Sequence, residues 1–140
     1  MNEKDKYARQ VVDQLMRTDA FSRWMNLQIL EVKDGYSKLS LTVSAKMLNG
    51  FGIVHGGIIF SLADSAFAFA CNSNGKLTLA LDANIAFAKP AKEGETIFAT
   101  AEMVNSTRKT GIYVVKVVNE QNELVAFFKG TSYKTEKDLL

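Results

Sequence analysis

The apolar positions change period along the chain, and each change marks an element. Between residues 5 and 18, Tyr7, Val11, Val12, Leu15 and Met16 recur at i, i+4, i+5, i+8 and i+9. That spacing predicts an amphipathic helix ending at Thr18 or Asp19. Phe21, Trp24 and Met25 follow as an apolar pad that packs on the main body, so 1–25 reads as an N-terminal helical segment. Residues 27–32 and 36–43 read as strands joined at Asp34-Gly35, a strong hairpin signal. In the second strand Leu39, Leu41 and Val43 alternate with Tyr36, Lys38, Ser40 and Thr42, the pattern of a sheet with one covered face. Four more strands are predicted at 78–88, 96–104, 112–118 and 124–133, and their short connections make them an antiparallel meander. Residues 135–140 read as a flexible tail. The order is α+β, with one long helix between two strands and four.

That long helix belongs to a stretch unlike the rest. Asn49, Gly50, Gly52, His55, Gly56 and Gly57 lead into an apolar run, 58–71, that closes on Asn72, Ser73, Asn74 and Gly75. Apolar residues lie on nearly every side of the run, so it reads as a helix buried in a core. Asp64 sits in its middle, where a carboxylate is costly unless it is paired or faces a cleft. A helix N-terminus offers unpaired N–H groups and partial positive charge. Glycines at that point let a ligand oxygen approach the backbone, which is what an oxyanion hole requires. Asn49 adds a side-chain amide in the same loop. Asp64 lies roughly 10 Å along the helix axis from Gly57 at 1.5 Å per residue. Two chains packed antiparallel would bring one helix start to the other's Asp64. The plainer reading is that Ser61, Asp64, Ser65 and Asn72 form a wetted stripe and that His55 is a structural hydrogen-bonder. The glycines lack the Gly-Lys-Ser/Thr ending of a phosphate-binding loop.

Composition narrows the classes. A chain of 140 residues carries one domain with a real core. Its net charge of +2 is spread along the sequence without a basic tract, which argues against a nucleic-acid partner. The single cysteine, Cys71, can form no internal disulfide and has no zinc-site spacing, so it reads as a packing residue, and no metal is expected. The charged N-terminus is not a signal peptide, and the run 58–71 is too short to span a bilayer. These features fit a cytoplasmic protein with no membrane partner.

The run Leu48-Asn49-Gly50 through His55-Gly56-Gly57 to Asp64 and Asn74-Gly75 resembles the signature of the hotdog-fold acyl-CoA thioesterases, in the branch associated with phenylacetic acid degradation. Phe87, Lys89 and Pro90 resemble that family's strand-end motif, and Arg108-Lys109-Thr110-Gly111 its cationic loop before a strand. The resemblance covers about residues 20–134. It implies an antiparallel sheet wrapped round the central helix and a homo-oligomer, a dimer of dimers, with active sites shared between chains. By the resemblance Asp64 is the catalytic carboxylate, as general base or nucleophile. Gly56 or Gly57 polarises the thioester carbonyl, and Asn49 and His55 support it. Lys89, Arg108 and Lys109, with Thr110, Gly111 and Asn84, are the implied CoA contacts. No cofactor is implied, since CoA is part of the substrate. Ala86 departs from the family's pattern and leaves the acyl specificity open. Phe60, Phe67, Phe69 and Phe87 either line an acyl slot or fill the core. A carboxylate and oxyanion donors suffice for a thioester, whose thiolate leaves readily. Two rivals are a hotdog hydratase or dehydratase and a non-catalytic acyl-CoA-binding protein.

Overall fold

The computed structural model describes residues 2–140, so Met1, the first residue of the expected N-terminal segment, lies outside it. The amphipathic helix forms as α1, Glu3–Thr18, capped by the Asn2 side chain, with Ala8, Val11 and Val12 buried. It breaks at Asp19, whose carboxylate accepts the Ser22 N–H and so starts a second short helix, α2, Ala20–Trp24. Of the expected pad only Met25 is buried. Phe21 and Trp24 are exposed and stack on each other at 5.7 Å.

Strands β1, Gln28–Lys33, and β2, Tyr36–Thr42, form the expected hairpin. A short helical turn, Ala45–Met47, leads to the glycine-rich loop and α3, Gly56–Cys71. Strands β3, Lys76–Phe87, β4, Thr96–Ser106, β5, Thr110–Val118, and β6, Leu124–Asp138, complete an antiparallel six-stranded sheet packed on α3. Leu62, Ala63, Ala66, Phe67 and Ala70 of α3 are buried among Leu39, Leu41, Ile97, Ala99, Val115 and Phe128 of the strands.

The sheet order is β1-β2-β4-β5-β6-β3, which corrects the four-strand meander. Of the four strands after α3, only β4, β5 and β6 pair in succession. The short link after β3 is not a hairpin: it crosses the start of α3 and puts β4 beside β2. Ala91 in that link is fully buried and its carbonyl accepts the Val54 N–H at 2.8 Å, while Val43 N–H donates to Glu95 O at 2.9 Å. Strand β3 therefore pairs with β6 alone and forms a sheet edge. The expected flexible tail is also corrected. Strand β6 continues to Asp138, which pairs with Lys76, and Thr135 Oγ1 donates to Leu77 O at 2.6 Å. Asn72 is no part of a wetted stripe. It is buried, its amide donating to Ala68 O and Thr78 O and its carbonyl accepting Thr78 N–H, so it ties the end of α3 to β3.

Register determines what meets the start of α3. Leu39, Ala99, Val117, Ala126 and Phe87 are aligned across β2, β4, β5, β6 and β3. The first four are buried. Phe87, on the edge strand, is 55% exposed and ends the row over the helix start.

Candidate active site

The loop before α3 is built around one side chain. Asn49 Oδ1 accepts the N–H groups of Phe51 at 2.9 Å and Ile53 at 3.4 Å, and Asn49 N–H donates to Ile53 O at 2.8 Å. The tight return this makes needs Gly52 at φ 80°, a region open to glycine at little cost. With its oxygen committed to the turn, the Asn49 amide nitrogen is left as a donor. The loop then reaches His55, whose N–H donates to Met47 O at 2.8 Å and which caps α3.

His55 decides which N–H of the helix start stays open. Its Nδ1 accepts from Gly57 N–H at 2.8 Å, and its carbonyl accepts from Ile58 at 2.9 Å and Ile59 at 3.5 Å. Gly56 N–H has no hydrogen-bond partner among the described residues. Gly57, the other expected donor, is engaged by the cap. Gly56 opens onto a cleft of about 310 Å³ lined also by Asn49, Ile59, Phe87, Lys89 and Pro90. The Phe87 ring closes so tightly over Gly56 that an added Cβ would stand 3.2 Å from Phe87 Cζ. The cleft thus offers one free backbone donor, one amide and one aromatic wall.

Asp64 is elsewhere. It is half-buried on the stripe of α3 that also carries Ser61 and Ser65, and it does not line this cleft. Eight residues past Gly56, it lies roughly 12 Å farther along the axis. Burial raises its pKa above the ordinary carboxylate value, and the neighbouring Asp19 charge raises it further. Among the described residues its carboxylate has no hydrogen-bond partner. The sequence reading took Asp19 only as the end of a helix. The structure links it from the α1–α2 junction through Ser22 to Ser65, the neighbour of Asp64 on α3, and the only local signal was its position as a cap ahead of Ser22.

The expected CoA contacts divide. Lys89 borders the cleft and pairs with Glu123 at 3.0 Å, and both are exposed. Arg108 and Lys109 are exposed in the β4–β5 turn, next to Thr110, whose hydroxyl bonds Thr107 at 2.8 Å, and buried Gly111. Thr110 pairs with Tyr133, far along β6 from the Ala126 that faces Phe87, so within one chain this loop is at the other end of the sheet from the cleft. Asn84 is exposed opposite Lys129, alternating with the half-buried Ala83 and Ile85 that face the core, and is not a cleft residue. Of the four phenylalanines only Phe87 borders the cleft. Phe67 and Phe69 are fully buried, and Phe60 packs edge-on to Phe128 at 5.4 Å. Among the described residues no helix is long and apolar enough to cross a membrane.

Residues 51–126, over half of the chain, match the thioesterase superfamily. The chain belongs to that superfamily. This thioesterase is 39% identical over 120 residues to the acyl-coenzyme A thioesterase PaaI of Escherichia coli, with 86% of each chain covered. The solved structure of the E. coli PaaI protein, from the phenylacetic acid degradation operon, superposes at a TM-score of 0.94 with 36% identity, covering 96% of this chain and 97% of that one. A Streptococcus mutans protein solved with acetyl CoA bound matches at 0.78 and 29% identity, over 81% of this chain and 91% of its own. The α+β hotdog architecture implied by the sequence motif is the fold observed, and the chain is a thioester hydrolase of the PaaI type.

Proposed function

We propose that this thioesterase hydrolyses acyl-CoA esters, with aromatic acyl groups of the phenylacetyl type as its preferred class. The observation that carries the reading is the open Gly56 N–H at the start of α3, in a cleft walled by Phe87. The thioester carbonyl oxygen accepts from Gly56 N–H, aided by the α3 dipole and the Asn49 amide. These donors strengthen as the carbonyl gains negative charge, which is the requirement for transition-state rather than ground-state binding. Asp64 then acts either as base on a water or as the attacking carboxylate. An unbonded carboxylate whose pKa is raised suits a base. Collapse of the tetrahedral species expels the CoA thiolate; when water attacks, this leaves the free acid, and when Asp64 attacks, it leaves an acyl–Asp64 anhydride that water then cleaves to acid and carboxylate. The phenylacetic acid degradation operon from which the E. coli PaaI relative comes supports the aromatic class, and the flat wall offered by Phe87 is compatible with it.

The distance between Asp64 and the Gly56 cleft favours a site shared between two chains. Strand β3 is a 12-residue edge with exposed Leu79, Leu81 and Phe87, a surface suited to an antiparallel copy of itself. Such pairing would also bring the Arg108–Lys109 turn of one chain toward the Phe87 end of the other, where CoA phosphates need cations. A dimer of dimers is the assembly the sequence motif implies, and light scattering measures it. The cytoplasm is the compartment in which we place the enzyme, consistent with its lone buried thiol.

The test is a hydrolysis panel of aromatic, short, medium and long acyl-CoAs with wild type, Asp64→Ala and Asp64→Asn. Aromatic esters should give the highest kcat/KM, and both variants should lose turnover on all of them. Variants as active as wild type would remove Asp64 from the mechanism. Single-turnover hydrolysis in labelled water separates the two routes, since direct attack leaves label in Asp64.

A further inference from the structure

Asp64 stands between two serines on α3, yet neither hydroxyl is directed to it. Ser61 Oγ donates to Gly57 O at 2.7 Å, one turn back on its own helix. Ser65 Oγ lies 2.7 Å from Ser22 Oγ of α2. Ser22 is 1% exposed, and its hydroxyl is also 2.6 Å from Asp19 Oδ2. The hydrogens of this chain can be assigned from its end. A carboxylate only accepts, so the Ser22 hydrogen points to Asp19. A hydroxyl has one hydrogen, so Ser22 must accept from Ser65. The relay therefore runs in one direction, Ser65 to Ser22 to Asp19, and both serines flanking Asp64 have spent their hydrogens elsewhere.

We propose that Asp19, acting through Ser22 and Ser65, is a positioning residue that keeps Asp64 free of hydroxyl donors and thereby poised as the base of the reaction. The proposal rests on the reading of Asp64 as catalytic. The relay begins at Ser65, next to Asp64 in the chain, and ends on Asp19, so of the two carboxylates the fold gives the donors to Asp19. Such an unequal division separates the roles of paired acids. Seating α2 on α3 is what closes the relay, so the N-terminal helices become part of the catalytic machinery. The other groups around Asp64 do not compete. Arg23, the cation of α2, turns away to donate to Arg17 O at 3.0 Å. The Cys71 thiol on the same helix stays protonated, its pKa pushed up to about 12 by burial. The sheet residues buried against α3, Leu39, Leu41, Ile97, Ala99 and Val115, are uncharged.

The experiment uses Asp19→Asn, which keeps an oxygen for the α2 cap but removes the charge and supplies a donor in its place, and Ser22→Ala, which cuts the relay but leaves the charge. Carbon-13 NMR titration of the Asp64 carboxyl is recorded on each, beside the pH profile of kcat/KM and the melting temperature. In both variants the Asp64 midpoint and the acid limb of the profile should move down by about half a pH unit or more. The kcat should fall roughly 3- to 10-fold with KM little changed. Asp19→Glu, which restores the acceptor, should return the midpoint toward wild type. Removal of the Asp19 charge lowers the midpoint of Asp19→Asn by itself, so Ser22→Ala decides: if α2 merely braces the fold, Ser22→Ala melts earlier while its Asp64 midpoint stays at the wild-type value, and the proposal is overturned. The NMR midpoint does not depend on turnover. An active Asp64→Asn enzyme would therefore sink the catalytic reading and leave the relay to be judged by its own readout.

Discussion

The Nδ1 of His55 accepts the Gly57 N–H at 2.8 Å, and so Gly56 carries the open donor at the start of α3. The imidazole is a cap that selects one backbone group from two adjacent glycines. His55→Ala should free Gly57 N–H, loosen the first turn and cost about 1 kcal/mol of stability, the usual loss for an N-cap. Activity should fall further than stability does, by roughly 10- to 100-fold in kcat, because an oxyanion donor works only when aimed. His55→Asn retains a capping acceptor and should recover most of the melting temperature. Thermal melts beside a thiol-release assay check both.

Gly56→Ala should fold, because the atom its Cβ meets belongs to the exposed ring of Phe87, on an edge strand that can yield. The cost appears in the cleft. KM for aromatic acyl-CoAs should rise roughly ten-fold, the scale of one misfitted methyl group. Adding Phe87→Ala to Gly56→Ala should relieve the crowding and lower KM again. A double variant no better than the single would show that Phe87 does not wall the acyl site.

Asp64 should cost the folded protein stability at neutral pH. Its folded pKa is raised by burial and by Asp19, so the native state holds the proton more readily than the unfolded chain. Between the ordinary Asp value of about 3.9 and the raised value, stability falls as pH rises, and the full cost is present above the raised value. Asp64→Asn removes this cost. Its melting temperature should exceed that of wild type at pH 7, and the gap should close below pH 4. A variant less stable at every pH would contradict the burial argument.

Cys71 should resist thiol reagents in the native enzyme. It is buried, and a pKa of about 12 leaves a thiolate fraction on the order of 1 in 10,000 at pH 8. Ellman's reagent should label it only on unfolding, so that native enzyme adds no background to the assay of released CoA. Rapid native labelling would mean that the C-terminal turn of α3 opens.

Local pattern made most of the elements legible. The 3.6-residue spacing of Tyr7 to Met16 marked α1, and Asp34-Gly35 marked the first hairpin. The loop from Asn49 to Gly57 announced a helix start built for an anion. Three things were not legible, and each depends on contacts distant in sequence. The link after β3 looked like a turn, but Ala91 is buried against the loop before α3 and carries the chain past it. Residues 134–138 carry no apolar signal, yet Thr135 and Asp138 are fixed by Leu77 and Lys76. Asp19 read as a helix stop because its link to Asp64 passes through Ser22 and Ser65, 43 residues apart. The motif named Asp64 and the helix start, and left Gly56 and Gly57 undecided until His55 Nδ1 was seen bonded to one of them.

The place of β3 also bears on how the enzyme comes to life as a chain. Ser106 pairs with Gly111 across five residues, whereas Phe87 pairs with Ala126 across 39 and Lys76 with Asp138 across 62. Closing loops of that length before any contact rewards them is slow, so β4, β5 and β6 should assemble first and β3 dock afterwards. Phe87 arrives with β3, at the end of that strand. An intermediate with a formed helix and a formed hairpin sheet would still lack the wall of its cleft. Refolding followed by a Phe87→Trp signal in a Trp24→Phe background should lag the recovery of helical circular dichroism, and catalytic competence should return with the slower phase.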